Sequence, residues 1–133
     1  MDNQTIYRKL AVLIVFLVLY TLKASVDKIL SELRQTQKQN DDWHRLSAAY
    51  IIVVTVVIGF LYSGVSWTSL VVGFYAMALR GTYFPILLNK KRGKDTLYLS
   101  DGWWDSIWKG NENLYFATFF AIVVSCAVFI LLN

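Results

Sequence analysis

The chain has 133 residues, 56% of them hydrophobic and 17% charged, with a net charge of +4. That length allows one domain, and a soluble fold carries nearer one quarter charged residues, so an independent soluble module is excluded. The excess of cations lies in the segments between apolar stretches, which makes anionic lipid headgroups and membrane topology its reading, and not nucleic acid.

Four stretches contain no charged residue: Leu10–Leu22, Leu46–Tyr62, Val65–Leu79 and Leu114–Leu132. Lipid cannot hydrogen-bond a backbone, so apolar runs of near-spanning length form helices that satisfy their own amides. The expected fold class is therefore all-α: a polytopic membrane protein with four transmembrane helices, a cytoplasmic amphipathic helix and a Trp-rich interfacial loop. One integral membrane domain covers 1–133, with helices at about 6–36, 43–63, 65–88 and 113–132.

The first run is short, because 13 residues rise about 20 Å against a hydrocarbon core of about 30 Å. It spans if Ile6-Tyr7 and Lys23 to Val26 join it and Arg8, Lys9 and Lys23 snorkel to the interfaces. Three spans are the alternative, with this run only dipping into the membrane. Arg8-Lys9 ahead of a short apolar core also has the form of a signal peptide, but Leu22 makes a poor −3 position, so an uncleaved first helix is expected. Past the run, Val26, Ile29, Leu30 and Leu33 fall at i, i+3, i+4, i+7, with Asp27, Lys28, Glu32 and Arg34 off that stripe. This amphipathic part is expected to project to about Thr36 and to need a cover.

Gln35–Asp42 has no apolar residue and reads as a linker, with Asn40, Asp41 or Asp42 capping the second helix. Trp43 is placed as an interfacial anchor. Ser47, Thr55, Gly59 and Ser63 share one i, i+4 row, and after a tight turn at Ser63–Ser66 the third helix repeats small residues at Ser66, Ser69, Gly73 and Ala76. The two rows predict a close antiparallel hairpin with Thr55 and Gly59 facing Gly73 and Ala76. Trp67 is a second anchor. Gly81 and Pro85 weaken the third helix, so Tyr83–Leu88 is either a kinked extension or a short interfacial piece.

Asn89 to Lys94 is a basic turn, and Thr96–Leu99 reads as a short extended piece. Ser100 or Asp101 then caps a short helix from Trp103 to Lys109. Trp103, Trp104 and Trp108 give it the character of a segment lying at headgroup level. Asn111 or Asn113 caps the last helix, whose charge-free run of 19 residues spans about 28 Å and holds the lone Cys126, a packing residue.

With four spans, the first and third loops share a side and hold Lys23, Lys28, Arg34, Lys38, Arg45, Lys90, Lys91, Arg92, Lys94 and Lys109. Only Arg8 and Lys9 stand opposite. The positive-inside bias makes loops 23–45 and 89–112 cytoplasmic, in an integral protein of the bacterial inner membrane.

Candidate chemistry is sparse. Arg80 ends the small-residue row of the third helix and has two readings: a bidentate grip on a phosphate or carboxylate, or simple snorkelling. With Lys90, Lys91, Arg92 and Lys94 it forms the expected site for anionic lipid or a partner. His44 is the only histidine, and no His, Cys or Glu spacing supplies the three or four ligands of a zinc site, so neither a metal nor a cofactor is expected. No catalytic motif of the Walker, GxSxG or HExxH type is present.

Arg80, Phe84-Pro85, Asn89, Gly93-Lys94, Tyr98 and Asp105 together resemble a signature of small uncharacterised membrane proteins of bacteria and their phages. In that pattern an Arg near the end of a span is followed by an Asn, a Gly-Lys turn, a Tyr and an Asp. The match covers about a fifth of the chain and departs between Phe84 and Pro85, where an aspartate is expected. The resemblance implies a membrane protein with a shaped cytoplasmic loop and no specific activity.

The expected function is that of a non-enzymatic accessory or structural subunit, packing against a larger membrane complex or itself. The alternatives are a holin-like lesion former and, in third place, a lipid-handling enzyme acting through Arg80 and His44.

Overall fold

A computed structural model describes residues 2–33, 37–99 and 103–133, and every regular element among them is helical. In chain order these are α1 (Asn3–Leu33), α2 (Gln37–Ser63), α3 (Trp67–Gly81), α4 (Tyr83–Lys91), α5 (Trp103–Trp108) and α6 (Glu112–Leu132). Four stretches are long and apolar enough to cross a membrane: Asn3–Leu30, Asp42–Ser63, Trp67–Lys91 and Glu112–Leu132. The architecture is that of a polytopic helical membrane protein.

α1 starts early because Asp2 caps it: the Thr5 amide donates to Asp2 Oδ1 at 2.7 Å. Those bonds from Thr5 hold the Asp2 carboxyl below its ordinary range. The helix then runs without a break through the short apolar run. Arg8 and Lys9 reach across to the ends of neighbouring helices. Arg8 Nη2 donates to the Tyr62 carbonyl at 2.7 Å, and Lys9 Nζ donates to the Leu131 carbonyl at 3.2 Å. The last carbonyls of a helix lack partners of their own and carry its negative dipole end, so a cation placed there satisfies both. Lys9 is buried in this role.

The α2–α3 turn is built by Gly64 and two serines. Gly64 takes φ +63, a backbone conformation that costs glycine little, and its amide donates to the Phe60 carbonyl. Ser66 caps α3 in a capping box with Ser69, and Ser69 Oγ donates to the Gly64 carbonyl at 2.8 Å. These serines, expected to serve as small packing residues, close the turn. At its other end α3 stops at Gly81, where Thr82 leaves helical geometry at φ −123, ψ −72. Pro85 accounts for the break: its ring would strike the carbonyl of residue 81 in a continuous helix, and it has no amide to donate. Thr82 Oγ1 donates to the Ala78 carbonyl at 2.9 Å, and the chain resumes as α4. The kinked extension, and not a separate interfacial piece, is what forms.

Two other expectations are corrected. α2 begins at Gln37, so much of the polar linker is helical; polar Gln and Lys mark water and not chain irregularity, and both are good helix formers. Thr96–Leu99 is no strand but part of a turn, with the Tyr98 amide donating to the Asp95 carbonyl. The third helix starts at Trp67 and not at 65. The proposed end of the first helix near Thr36 and the caps at Ser100 and Asp101 lie outside the described residues.

The core sits where α1, α3 and α6 meet, around Phe16, Tyr20, Val72, Tyr75 and Ile130. Two tyrosines lock α1 to α3. Tyr20 donates to the Ala76 carbonyl at 2.9 Å, and Tyr75 donates to the Leu13 carbonyl at 3.0 Å. Each carbonyl keeps a second lone pair after its helical bond, so the buried hydroxyls are satisfied without breaking the ladder. Lipid is as apolar as leucine, so such bonds and close packing, and not water exclusion, hold the helices together. Gly81 allows the closest approach: a Cβ there would lie 3.2 Å from both Phe119 Cδ1 and Tyr115 Oη. α2 packs chiefly on α3, with α1 reaching it through Arg8 at Tyr62 and around the core residue Ile51, and it exposes most of its apolar surface.

Candidate functional site

Arg80 was expected at the membrane edge beside the basic turn. It stands elsewhere. α3 carries it about 20 Å from Trp67, and α4 then continues the chain for about 16 Å more to Lys91. Arg80 therefore lies within the candidate span Trp67–Lys91, exposed on the outside of the bundle. Among the described residues it makes no hydrogen bond or ion pair, and nothing draws it to Lys90–Lys94.

The small-residue rows of α2 and α3 meet only in part. Near the turn the two helices touch, with a Cβ at Gly59 falling 3.4 Å from the Ser69 carbonyl oxygen. Farther from the turn they separate, and a Cβ at Gly73 would meet nothing within 4 Å. Ala76 turns away from α2 and is buried against α1. Gly59 thus faces Ser69, not Gly73 and Ala76, because the helices diverge from their shared turn. The divergence leaves a groove of about 380 Å³ that Thr55, Gly59, Ser69, Leu70, Gly73 and Met77 help to line.

The basic turn has an internal architecture. Asn89 is buried, and its Nδ2 donates to the Thr96 carbonyl at 3.1 Å and the Tyr98 carbonyl at 2.9 Å. Its own carbonyl accepts from the Lys94 amide at 2.9 Å. Gly93 takes φ +68 to make the turn, and Lys94 Nζ lies 4.2 Å from the centre of the Tyr98 ring. Asn89, Gly93, Lys94 and Tyr98 are thus one closed unit. Its far side docks through Leu99 onto Tyr115 and Phe116, with Ile86, Leu97, Trp108 and Phe119 around it. Lys90, Arg92 and Lys94 stay exposed, and Lys91 half-buried.

Of the tryptophan anchors, Trp67 is exposed at 81% and suits an interface. Trp108 packs edge-on against Tyr115 and Phe119 at 5.5 and 6.3 Å between ring centres, so the Trp-rich helix is pinned to the start of α6. The side chains of Trp103 and Trp104 lie outside the described ones. Trp43 is half-buried, 6.0 Å from Lys23 Nζ.

Lys23, from the loop expected in the cytoplasm, is the cation with which the carboxylate of Asp27, expected to find one, pairs. Its ammonium lies 2.7 Å from Asp27 Oδ2 and 4.8 Å from the centre of the Phe84 ring, with both charged side chains about nine-tenths buried. The i, i+4 spacing of opposite charges was the signal available. Burying Asp27 rotates Val26, Ile29 and Leu33 outward, so the apolar stripe of α1 faces away from the bundle. His44 is exposed on α2. Among the described residues no three His, Cys, Asp or Glu side chains come together.

These elements define a class: a small helical membrane bundle with a polar seam between helix ends, an apolar groove between α2 and α3 and a folded basic loop. No family model matches the chain, and neither the curated proteins nor the solved structures contain a match.

Proposed function

We propose that this protein is a small, non-enzymatic accessory subunit of the bacterial inner membrane, packing against another membrane subunit or a second copy of itself. The observation that carries the reading is the state of α2. It packs chiefly on α3, with lesser contacts to α1, while Leu46, Tyr50, Val53, Val57 and Leu61 form a stripe on its far side, each between 49% and 71% exposed. A helix with so much apolar surface outside its own bundle has packing surface available for a neighbour. The polar groups inside the bundle act structurally, Arg8 and Lys9 on helix ends and Asn89 on its loop, which supports a packing role over catalysis. Loops 23–45 and 89–112 face the cytoplasm on the ten-to-two cation imbalance, where the exposed lysines and arginines of the basic turn meet anionic headgroups. The resemblance to small bacterial and phage membrane proteins fits this reading.

Mild extraction followed by co-purification is the test. A stoichiometric second subunit, or a dimer cross-linked through Val53→Cys or Val57→Cys, is the expected result. A chain recovered alone and monomeric from nanodiscs overturns the reading, and abrupt lysis on expression points to the holin-like alternative.

A further inference from the structure

Leu70, Gly73, Met77 and Arg80 follow one another along α3 at spacings of three, four and three residues, the a and d pattern of a helix that packs on a partner. Among the described residues nothing covers that seam. Leu70 is 52% and Met77 68% exposed, a Cβ at Gly73 would meet nothing within 4 Å, and Arg80 is exposed. Leu70, Gly73 and Met77 also line the open groove toward α2, and Arg80 continues their row beyond the groove. Arg80 lies about midway along the candidate span Trp67–Lys91. Gly81 beside it packs on Tyr115 and Phe119, about one and two turns inside α6. A headgroup phosphate stays nearer the surface, so the counter-charge that suits this depth is a side chain. Arg80 makes no hydrogen bond or ion pair among the described residues, and an arginine inside a span is ordinarily turned inward and paired.

We propose that this seam seats a transmembrane helix of a different protein, and that an Asp or Glu near the middle of that helix pairs with Arg80. Such a partner rests on the subunit reading and narrows it, because the neighbour is not a second copy of this chain. Charge decides the occupant. An apolar seam interrupted by one cation is complementary to an apolar helix interrupted by one carboxylate. The planar guanidinium gives a carboxylate two parallel hydrogen bonds, and the pair leaves neither ion alone in hydrocarbon. A second copy lacks the carboxylate. The four apolar runs hold no Asp or Glu. Asp27 is buried against Lys23, and Asp42 and Glu112 stand at the first residue of their spans. Gly73 lets the partner's backbone come near α3 two turns before Arg80, as small residues do between helices in lipid. A single polar residue in an otherwise apolar seam also fixes register, so Arg80 selects which helix docks and how far along it sits.

Synthetic helices supply the probe. The full chain is reconstituted in phosphatidylcholine vesicles with Leu-Ala transmembrane peptides of about 20 residues whose central residue is Glu, Gln or Leu. Energy transfer between dyes on protein and peptide reads their association. Wild type should bind the Glu helix at least tenfold more tightly than the Leu helix. Arg80→Leu should lose that preference, and Arg80→Glu should transfer it to a helix with a central Lys. Gly73→Leu should weaken binding of the Glu helix by holding its axis away, and Lys94→Ala, at the basic turn, should not. Far-UV circular dichroism shows that each variant is folded; if Arg80→Leu fails there, Arg80→Gln replaces it. Equal binding of the Glu and Leu helices by wild type overturns the proposal. So does a preference that vanishes when phosphatidylglycerol replaces phosphatidylcholine, which assigns Arg80 to headgroups, and so does a homodimer that depends on Arg80. Co-purification from cells separates this pairing from the subunit reading. A partner retained by Arg80→Leu overturns the pairing and leaves the subunit reading standing, whereas a wild-type chain recovered alone that still selects the Glu helix overturns only the subunit reading.

Discussion

Replacing Gly81 with alanine, and in a second variant Gly73 with alanine, separates a close approach that the structure makes from one that the small-residue rows predicted. Both glycines lie on α3, and neither has a positive φ. On an isolated helix each change would gain about 0.5–1 kcal/mol, since glycine is the more costly residue to order. At Gly73 nothing stands within 4 Å of the new methyl, so that gain is kept. At Gly81 the methyl meets Phe119 Cδ1 and Tyr115 Oη at 3.2 Å. Those rings have little room to retreat: Tyr115 is buried and stacks on Trp108, Phe116 and Phe119 at 4.8–5.5 Å between centres. Overpacking of this kind costs about 1–3 kcal/mol, so the net effect of Gly81→Ala is a loss of about 0.5–2 kcal/mol. Unfolding in mixed micelles by titrated denaturing detergent, with Trp fluorescence as readout, should place Gly81→Ala below wild type and Gly73→Ala at or above it. If Gly81→Ala unfolds at or above wild type, the α3–α6 contact is not where the stability lies.

Three further changes address other parts of the argument. Lys9→Met removes the cation from the Leu131 carbonyl and should cost about 1–2 kcal/mol in the same titration, with no loss if the capping role is wrong. Asn89→Ala removes two hydrogen bonds that hold the basic turn, so amide exchange over residues 94–99 should accelerate at least tenfold while α1 and α6 stay protected; unchanged exchange would refute the assigned role. With Cys126 replaced by alanine, a cysteine at Gln37 or Thr96 should react with a membrane-impermeant reagent only after the cytoplasmic face is opened, and labelling of intact cells reverses the topology.

Apolar run length, read from composition alone, determined the class of this protein. A charge-free stretch of spanning length has few options in lipid besides a helix, and the hairpin follows from the two residues, Ser63 and Gly64, between two such stretches. The break at Thr82 was legible for the same local reason, since Pro85 acts on the carbonyl four residues before it wherever the helix lies. A pairing of Asp27 with a nearby cation was legible, but which helix end each of the other flanking cations meets was not. Arg8, Lys9 and Lys23 are identical in sequence terms, cations flanking an apolar run, and snorkelling was the common expectation. Tertiary structure gave them different fates, on the end of α2, on the end of α6 and against Asp27, because each depends on which element lies alongside α1. The small-residue rows show the same limit. Spacing marks which face of a helix is smooth, but contact requires two axes to stay close, and α2 and α3 diverge after Gly59. Gly81, dismissed as a helix breaker, makes a close contact with α6 because the chain brings Tyr115 and Phe119 against it from 34 and more residues away.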